Sequence, residues 1–372
     1  MLSNFRFFIS CLPNTENITL NEINHLLDTK AQISDHGGIE LTGTLLELYL
    51  LNLWLRTANR ILIRLLSFYA TTFKAITNKV SLYPWEIYLS KTDRIIIKTT
   101  CRKSKLYHSE KLSHTILKAI EKRLKRTLIH IKPHEQDATA QTIYVRLFKD
   151  KCTISIDSSG THLHERGYHV QKVKAPLRET LAATMIYLSK WDPNQLLWDP
   201  FCGSGTILIE AALIALNIAP GAFRKFAFMD WKNFNVRLFN SIERKKTPLN
   251  PTPNILGTDI SEKAINCAKY NAKLAQVEKS LTLKQQDFLE SSYPKKRGFI
   301  ITNPPYGKRI GRDLSINFYK KIKEKMSYKF IDWNISLICP HNIANIFSPP
   351  FYIKSKLYNG GIPVLFLNNK AK

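Results

Sequence analysis

The chain has 372 residues, of which 44% are apolar and 23% are charged. This length allows two to three domains, and the composition excludes both wholesale disorder and a glycine-rich low-complexity protein. The charge is unusual, because 55 Lys and Arg against 29 Asp and Glu give a net charge of +26. A surplus of this size indicates a polyanionic partner, with nucleic acid favoured over an anionic membrane.

The sequence predicts no membrane span. Residues 45–66 are the most apolar stretch, but Glu47 and three arginines interrupt it, so no charge-free run there is long enough to cross a bilayer. Residues 333–353 lack charge, yet their Asn, His and Pro residues indicate a buried strand and a loop. The apolar start of the chain is too short for a signal peptide, and we interpret it as a first strand.

The six cysteines show no metal-binding or disulfide pattern. They lie at positions 11, 101, 152, 202, 267 and 339, without a Cys-x-x-Cys pair and without the spacing of a zinc framework. We therefore predict free thiols and no metal site. Free thiols are typical of a reducing compartment, which favours a cytoplasmic protein.

The positive charge is concentrated after residue 60. Residues 61–175 carry 22 basic and 9 acidic side chains, whereas residues 1–60 carry 4 and 6. Within residues 112–124 the apolar positions follow helical spacing, which predicts a helix with one basic face. Such a face can contact phosphates, although a solvated surface is the alternative. The candidate RNA contacts are Lys103, Lys105, Lys118, Lys122, Arg123 and Arg126.

Strand and helix patterns alternate through the first 160 residues, in an order that fits small α+β units of the ferredoxin-like type. We predict strands at 5–11, 61–67, 94–100, 141–147 and 151–157, a turn followed by a strand within 37–41, and helices at 20–27, 44–58 and 112–124. We place a first domain at 1–60 and a second, RNA-binding domain at 61–160. Residues 161–178 lack periodicity and are predicted to be a linker.

The third domain, residues 179–372, has alternating strands and helices that predict an α/β fold with a doubly wound parallel sheet. The predicted strands are 196–200, 254–259, 281–285, 298–303 and 334–339, and the predicted helices are 206–217 and one that opens at Ser261, a good N-cap residue. The insert at 220–253 contains turn residues and prolines, and we predict that it is a surface excursion.

Three segments at strand ends indicate a cofactor site. Residues 199–206 form a Gly-x-Gly turn between a strand and a helix, where backbone amides can approach a ligand. Asp259 ends the next strand and could accept hydrogen bonds from both hydroxyls of a ribose, or could cap a helix instead. Asp287 follows the third strand and could bind an adenine amino group, or could be a turn residue.

The Asn303-Pro304-Pro305-Tyr306-Gly307 loop follows a buried strand and carries the most specific signal. Its two prolines fix a rigid loop at the edge of the sheet where doubly wound folds bind ligands. The Asn303 side chain and the Pro304 carbonyl can accept hydrogen bonds from an exocyclic amine, and Tyr306 can stack on a base. These groups suit methylation of that amine.

The motifs LLWDPFCGSGT, GTDISEKAINCAKYNA and ITNPPYG, in this order, resemble class I S-adenosylmethionine-dependent methyltransferases of the amino-methylating branch. HERGYHVQKVKAPLRETLAA resembles the segment before the core in THUMP-domain RNA guanine-N2 methyltransferases. Residues 1–160, with GGIELTG and LWLRTANRILIRL, resemble their ferredoxin-like and THUMP domains, and LYNGGIPVLFL resembles their final strands. The resemblance implies a class I, Rossmann-like methyltransferase domain behind these two domains.

The resemblance also implies residue roles. Asn303, Pro304 and Tyr306 would hold the target guanine. The residues implied to bind S-adenosylmethionine are Pro176, Leu177, Arg178, Asp199, Phe201, Gly203, Gly205, Thr206, Asp259, Ile260, Asp287, Phe288 and Asn303.

The substrate assignment has alternatives. The sequence ends at residue 372, without the second methyltransferase domain of the fused bacterial large-subunit rRNA enzymes, so we expect no second modification. We expect 23S rRNA as the first target, and tRNA as the second because single-domain relatives methylate tRNA guanine as well. A DNA adenine methyltransferase and a glutamine methyltransferase of release factors use the same loop, but neither explains the basic N-terminal module. A non-catalytic RNA-binding protein is disfavoured by the intact motifs. We expect a monomer with RNA, and no membrane or metal, as its partner.

Overall fold

The computed structural model describes residues 4–35, 37–89, 91–135, 137–168, 177–291, 297–306 and 312–369. Two sheets organise it, one in the N-terminal 160 residues and one in the last 180. Among the described residues, no helix is both long and apolar enough to cross a bilayer. All six cysteines are free thiols, as predicted.

The N-terminal sheet has eight strands in the order β2-β3-β1-β4-β8-β7-β5-β6. Its strands are β1 Phe5–Cys11, β2 Gln32–Ile33, β3 Ile39–Gly43, β4 Ala58–Tyr69, β5 Arg94–Arg102, β6 Ile129–Ile131, β7 Gln141–Phe148 and β8 Lys151–Asp157. Its helices are α1 Glu16–Leu26, α2 Leu45–Trp54, α3 Phe73–Ser81 and α4 Ser109–Leu124. Strand β4 pairs with β1 on one side and β8 on the other, so the two N-terminal units share one sheet.

The helix predicted at 44–58 is shorter than expected. It opens with a capping box between Thr44 and Glu47 and ends at Trp54. The backbone amides of Arg56 and Thr57 donate to the Glu22 carboxylate, at 2.6 and 3.1 Å, which turns the chain into β4. A contact to a residue more than thirty positions earlier therefore ends a helix that apolar spacing alone would continue.

The second sheet has the order β11-β10-β9-β12-β13-β15-β14, and the doubly wound prediction is confirmed. Its strands are β9 Leu196–Asp199, β10 Ile255–Asp259, β11 Leu281–Gln285, β12 Gly298–Thr302, β13 Asn334–Pro340, β14 Phe351–Asn359 and β15 Ile362–Asn369. The helices are α5 Glu179–Ser189, α6 Thr206–Ala215, α7 Val236–Asn240, α8 Glu262–Leu274, α9 Arg312–Lys329 and α10 Ala344–Phe347. The first five strands in chain order are parallel, and the last two are antiparallel additions. One apolar cluster includes residues of α5 and α6, and another includes residues of α9.

The prediction that the insert 220–253 is a surface excursion is wrong. Phe228 and Trp231 are almost fully buried in the same apolar cluster as the N-terminal sheet and its helices. The Phe228 ring lies 4.7 Å from the Tyr49 ring of α2, and Trp231 Nε1 donates to Gln141 Oε1 of β7 at 2.8 Å. The insert has no periodicity because it adds single aromatic residues to a core formed by another part of the chain.

The segment predicted as a linker begins as a tightly held junction. Arg166 and Tyr168 are both 1% exposed, and the Tyr168 hydroxyl donates to Glu210 Oε1 of α6 at 2.8 Å. Arg166 forms an ion pair with Glu210 and also donates to the backbone carbonyl of Arg56. Because Arg56 in turn donates to α6 and the turn after it, these contacts fix the N-terminal sheet to the second sheet and its helices.

Candidate functional site

The predicted site residues meet where the order of the parallel strands reverses. Strands β10 and β12 flank β9 in the sheet. Asp199 ends β9, Asp259 ends β10, and Asn303 directly follows β12. Since the carboxyl ends of parallel strands lie at one edge, the three residues lie at a single edge of the sheet, where this architecture binds ligands. We call this edge the crevice.

The turn from β9 into α6 is built around glycine. Gly205 is the N-cap of α6 with φ +83°, and Gly203 has φ +53°, a conformation that side chains with a Cβ rarely adopt. A Cβ at Gly205 would lie 3.0 Å from Ala268 Cβ on α8, so glycine also permits close helix packing. The turn therefore presents bare backbone at a helix N-terminus, which suits a ligand carboxylate.

Asp259 connects two cofactor-facing turns. Its Oδ2 accepts the Gly203 amide and its Oδ1 accepts the Ser261 amide, both at 2.9 Å. Ser261 is the N-cap of α8 and its side chain accepts from the Ala264 amide, so Asp259 is not itself the cap. Each carboxylate oxygen has further lone pairs, so Asp259 can accept from ligand hydroxyls while it holds the glycine turn.

Asp199 is buried beneath the crevice and linked to the neighbouring strand. Its Oδ1 accepts the Phe201 amide at 3.1 Å and the Thr302 hydroxyl at 2.6 Å. Burial raises the pKa of Asp199 to about 7, and the charge of Asp259 adds to the increase. Thr302 was not predicted as a site residue, although it immediately precedes Asn303 in the ITNPPYG motif. Its hydrogen bond joins the turn after β9 to the loop after β12.

Contacts from α9 and from β14 anchor the loop after β12, whereas the side-chain oxygen of Asn303 accepts no hydrogen bond from the described residues. The Pro305 carbonyl accepts from the Tyr319 hydroxyl of α9 at 2.7 Å, and Asn359 of β14 donates to the Tyr306 hydroxyl. Asn303 Oδ1 is buried and has no hydrogen-bond partner among the described groups. A buried polar atom without a partner is costly, and its usual explanation is a missing ligand or water.

The other predicted cofactor residues occupy different environments. Ile260 is 66% exposed beyond the end of β10. Asp287 accepts the Leu289 amide at 2.8 Å, whereas Phe288 is buried, with its ring 5.7 Å from Trp198 and 5.3 Å from Phe201. Thr206 opens α6, buried Leu177 and exposed Arg178 precede α5, and Pro176 and Gly307 lie outside the described residues.

The predicted RNA contacts near α4 are partly engaged in ion pairs. Lys118 pairs with Glu121 at 2.8 Å, and Arg123 pairs with Glu86 at 2.6 Å. Arg126 pairs with Asp93 and donates to nearby backbone carbonyls. Lys103, Lys105 and Lys122 are exposed, without an ion pair to any described residue.

Family models match three parts of the chain. Residues 166–346 match the RMKL-like methyltransferase domain, residues 6–62 match the RlmL ferredoxin-like domain, and residues 70–157 match the THUMP domain. The catalytic match includes all three residues that border the crevice.

Known proteins resemble the chain over most of its length. The Bacillus subtilis protein named "Putative RNA methyltransferase YpsC" is 34% identical over 336 residues, covering 88% of this chain and 86% of that protein. The ribosomal RNA large subunit methyltransferase K/L of Syntrophotalea carbinolica is 28% identical, and the match covers 98% of this chain and about half, 53%, of that protein. The crystal structure of SMU.472 complexed with SAH has a TM-score of 0.86 and 29% identity, covering 100% of this chain and 99% of that one.

Proposed function

Since this chain belongs to the RNA methyltransferase family that joins ferredoxin-like and THUMP domains to an RMKL-like methyltransferase domain, we propose that it methylates the exocyclic N2 of a guanine in RNA. S-adenosylmethionine is the methyl donor. Large-subunit rRNA is the first proposed target, in keeping with the name of the K/L relatives, and tRNA is the second.

The observation that carries this proposal is the buried Oδ1 of Asn303, which has no hydrogen-bond partner among the residues that the structure describes. The lone pair of a guanine amine is delocalised into the ring, so the nitrogen is a weak nucleophile. A hydrogen bond from the amine to Asn303 Oδ1 and a second to the Pro304 carbonyl would direct the lone pair toward the methyl donor. These contacts strengthen as the nitrogen becomes tetrahedral and positive, so they lower the barrier.

The residues around the crevice fit S-adenosylmethionine. The glycine turn at 203–205 and the α6 N-terminus suit its carboxylate, and the remaining lone pairs of Asp259 suit its ribose hydroxyls. Exposed Ile260 offers an apolar surface beside the ribose for the adenine ring. When bound, the cofactor supplies a methyl group on a positively charged sulfur, which makes a strong base unnecessary.

Transfer of the methyl group to the guanine amine releases one proton. The guanine nitrogen forms a bond to the methyl carbon, the carbon–sulfur bond breaks toward sulfur, and the nitrogen then loses a proton to water. In this reaction Asn303 orients the amine, whereas Asp199 and Thr302 position the two turns that meet at the crevice. Tyr306, held by Asn359, lies beside Asn303 and would stack on the base.

The test is methyl transfer with identification of the product nucleoside. Purified protein is incubated with labelled S-adenosylmethionine and with rRNA or tRNA from cells that lack the protein, and the digested RNA is analysed by mass spectrometry. The expected product is N2-methylguanosine, and the more strongly labelled RNA identifies the target. A product of N6-methyladenosine, or transfer to DNA or protein with none to RNA, would overturn the proposal.

A further inference from the structure

The two faces of the N-terminal sheet have different chemistry. On β1, Phe7 and Ile9 belong to the apolar core that also includes residues of α1 to α4. Phe8 points to the opposite face, where its cross-strand neighbour is Leu62 of β4. We call this opposite side the open sheet face; it is defined by Arg6, Arg64, Lys98, Tyr144, Arg146 and Phe148.

Strand pairing gathers these residues from distant parts of the sequence. Ser155 of β8 lies opposite both Arg64 and Tyr144, and Lys98 lies beside Tyr144. Arg6, Arg64, Arg146 and Phe148 line one cavity of about 260 Å³ together with the carboxylates of Asp35 and Glu40. The open sheet face is therefore one continuous surface.

Its positive charges are only partly neutralised. Arg64 forms an ion pair with Glu40 at 3.2 Å. Burial lowers the pKa of Arg64, the Glu40 carboxylate partly opposes this decrease, and the charges of Arg146 and Arg6 add smaller decreases. Within the described part of the chain, no carboxylate lies within 4.0 Å of Arg6, Lys98 or Arg146. Clustered cations that are only partly paired with carboxylates form a surface that favours phosphate groups.

Aromatic rings lie between these cations. Lys98 Nζ is 6.0 Å from the centre of the Tyr144 ring, and the Arg146 guanidinium carbon is 5.3 Å from that of Phe148. Proteins that bind single-stranded RNA on a sheet use this combination, because rings stack on unpaired bases while cations contact the backbone. A duplex would not expose its bases to such rings.

A cleft borders both the N-terminal sheet and the segment that precedes α5. This cleft of about 1130 Å³ is lined by Arg94 of β5, by His164 and Arg224, and by Arg178 in front of α5. Burial lowers the pKa of His162 to about 4, and the charges of Arg60 on β4 and of Arg178 both contribute. The cleft therefore brings cations of the sheet and of the segment before α5 together, beside the carboxylates of Asp93, Glu165, Glu179 and Asp230.

We propose that the open sheet face binds a single-stranded segment of the RNA substrate, which continues through the cleft past Arg178 to the crevice at Asn303. Bases stack on Tyr144 and Phe148, and phosphates contact the neighbouring arginines and Lys98. This inference rests on the proposed function, because it names the surface that holds the substrate of that reaction.

The test compares two double variants of the full-length protein with equal loss of charge. Lys98→Ala/Arg146→Ala removes two cations of the open sheet face, and Lys118→Ala/Lys122→Ala removes two from α4. RNA affinity is measured from low to high salt. Each phosphate contact of a single strand contributes about 0.7 to the salt slope, so the first variant should lose about 1.4 of slope and roughly tenfold in affinity at physiological salt. The α4 variant should change little.

A variant that removes an aromatic ring and no charge distinguishes base stacking from phosphate contacts. Phe148→Ala should weaken binding of single-stranded RNA by about 5- to 150-fold, as expected for the loss of one stacked base. Tyr107→Ala, at a residue 70% exposed beside the start of α4, is the matched control and should leave affinity unchanged. Thermal melting and calorimetry with S-adenosylmethionine verify that all variants are folded and bind the cofactor as the wild type does.

The outcomes distinguish this inference from the proposed function. Equal losses in both double variants, or a loss only in the α4 variant, would overturn the RNA path while methyl transfer by the wild type continued. Normal binding of naked RNA by the open-face variants, combined with failure on ribosomal particles, would assign the face to a protein partner and would also overturn it. A wild-type protein that methylates no RNA would overturn the proposed function itself.

Discussion

The catalytic crevice and the N-terminal module relate to the sequence in different ways. At the crevice, Asp199, Asp259 and Asn303 each end or follow a short parallel strand, so successive motifs in the chain become neighbours in space. On the open sheet face, Arg6 and Arg146 lie 140 positions apart and border one cavity only because intervening strands pair. Local motifs therefore reveal a site at a sheet edge, but not a surface assembled across strands.

The same comparison applies to charge. The densest basic segment led to α4 as the predicted RNA contact, yet Lys118 and Arg123 there have carboxylate partners in the structure. Lys98, at the start of that segment, and Arg146, on β7, have no such partner among the described residues. A count of charges along the chain does not show which charges remain available for a ligand. The four predictions below test this contrast, starting from the largest expected effect.

The first prediction concerns the insert at residues 220–253. If the insert supported only the catalytic domain, the N-terminal core would not depend on it, and the contrast between the two regions would be wrong. Phe228→Ala should destabilise the protein by about 3–5 kcal/mol, the usual cost of truncating a fully buried phenylalanine. It should also loosen the N-terminal sheet, because Phe228 contacts Tyr49 of α2. Chemical denaturation measures the free energy, and hydrogen exchange locates the loosened strands.

Val236→Ala is the control for Phe228→Ala. Val236 lies in the same insert but is 54% exposed, so its truncation should change stability by less than about 0.5 kcal/mol. Equal effects of the two substitutions, or loosening confined to the catalytic sheet, would show that the insert does not support the N-terminal core.

The second prediction separates chemistry from cofactor binding at the crevice. Asn303→Ala should lower single-turnover methyl transfer by about 10²–10³, the usual effect of removing one preorganised polar contact. Cofactor affinity should stay nearly unchanged, because Asp259 and the glycine turn are intact. Asn303→Asp keeps an acceptor oxygen and should retain appreciable activity; transfer by the Ala variant at the wild-type rate would remove Asn303 from the mechanism.

The third prediction concerns Asp259. Asp259→Ala should weaken S-adenosylmethionine binding by about 1.5–3 kcal/mol, since hydrogen bonds to a charged acceptor contribute that much. Part of the loss should come from the Gly203 amide, which loses its acceptor at the same time. Calorimetry measures the affinity, with Asp332→Ala at an exposed ion pair as the control. An unchanged affinity would exclude Asp259 from the site.

The fourth prediction concerns Asp199 and the pH dependence of the stability of the protein. The pKa of Asp199 is raised to about 7 in the folded protein from an ordinary value of 3.8. Between these values the folded state holds a proton that the unfolded state has lost, so the contribution of Asp199 to stability falls as pH rises from about 4 to about 7. Asp199→Asn does not titrate and should show a flatter profile by thermal melting; parallel profiles would contradict the raised pKa.

Several structural details explain why sequence patterns do not predict every residue of the site and of the core. In the sequence, Thr302 looks like any other β-branched strand residue. Only the pairing of β12 with β9 brings its hydroxyl to Asp199. Trp231 and Arg166 lie in aperiodic segments, yet both are buried by contacts to other parts of the chain. Periodic spacing of apolar residues arises when one helix or strand packs against one surface. A single residue that contacts several elements produces no such spacing.

The sequence by itself determined the doubly wound sheet, the bounds of β1, β8 and β11, and the grouping of Asp199, Asp259 and Asn303 at one edge. These features follow from spacing within a strand or helix and from the rule that parallel strands end at the same edge. Tertiary structure alone decided the end of α2, the burial of the insert, the Thr302–Asp199 hydrogen bond and the composition of the open sheet face. Each depends on contacts between residues far apart in the chain, which local propensity does not encode.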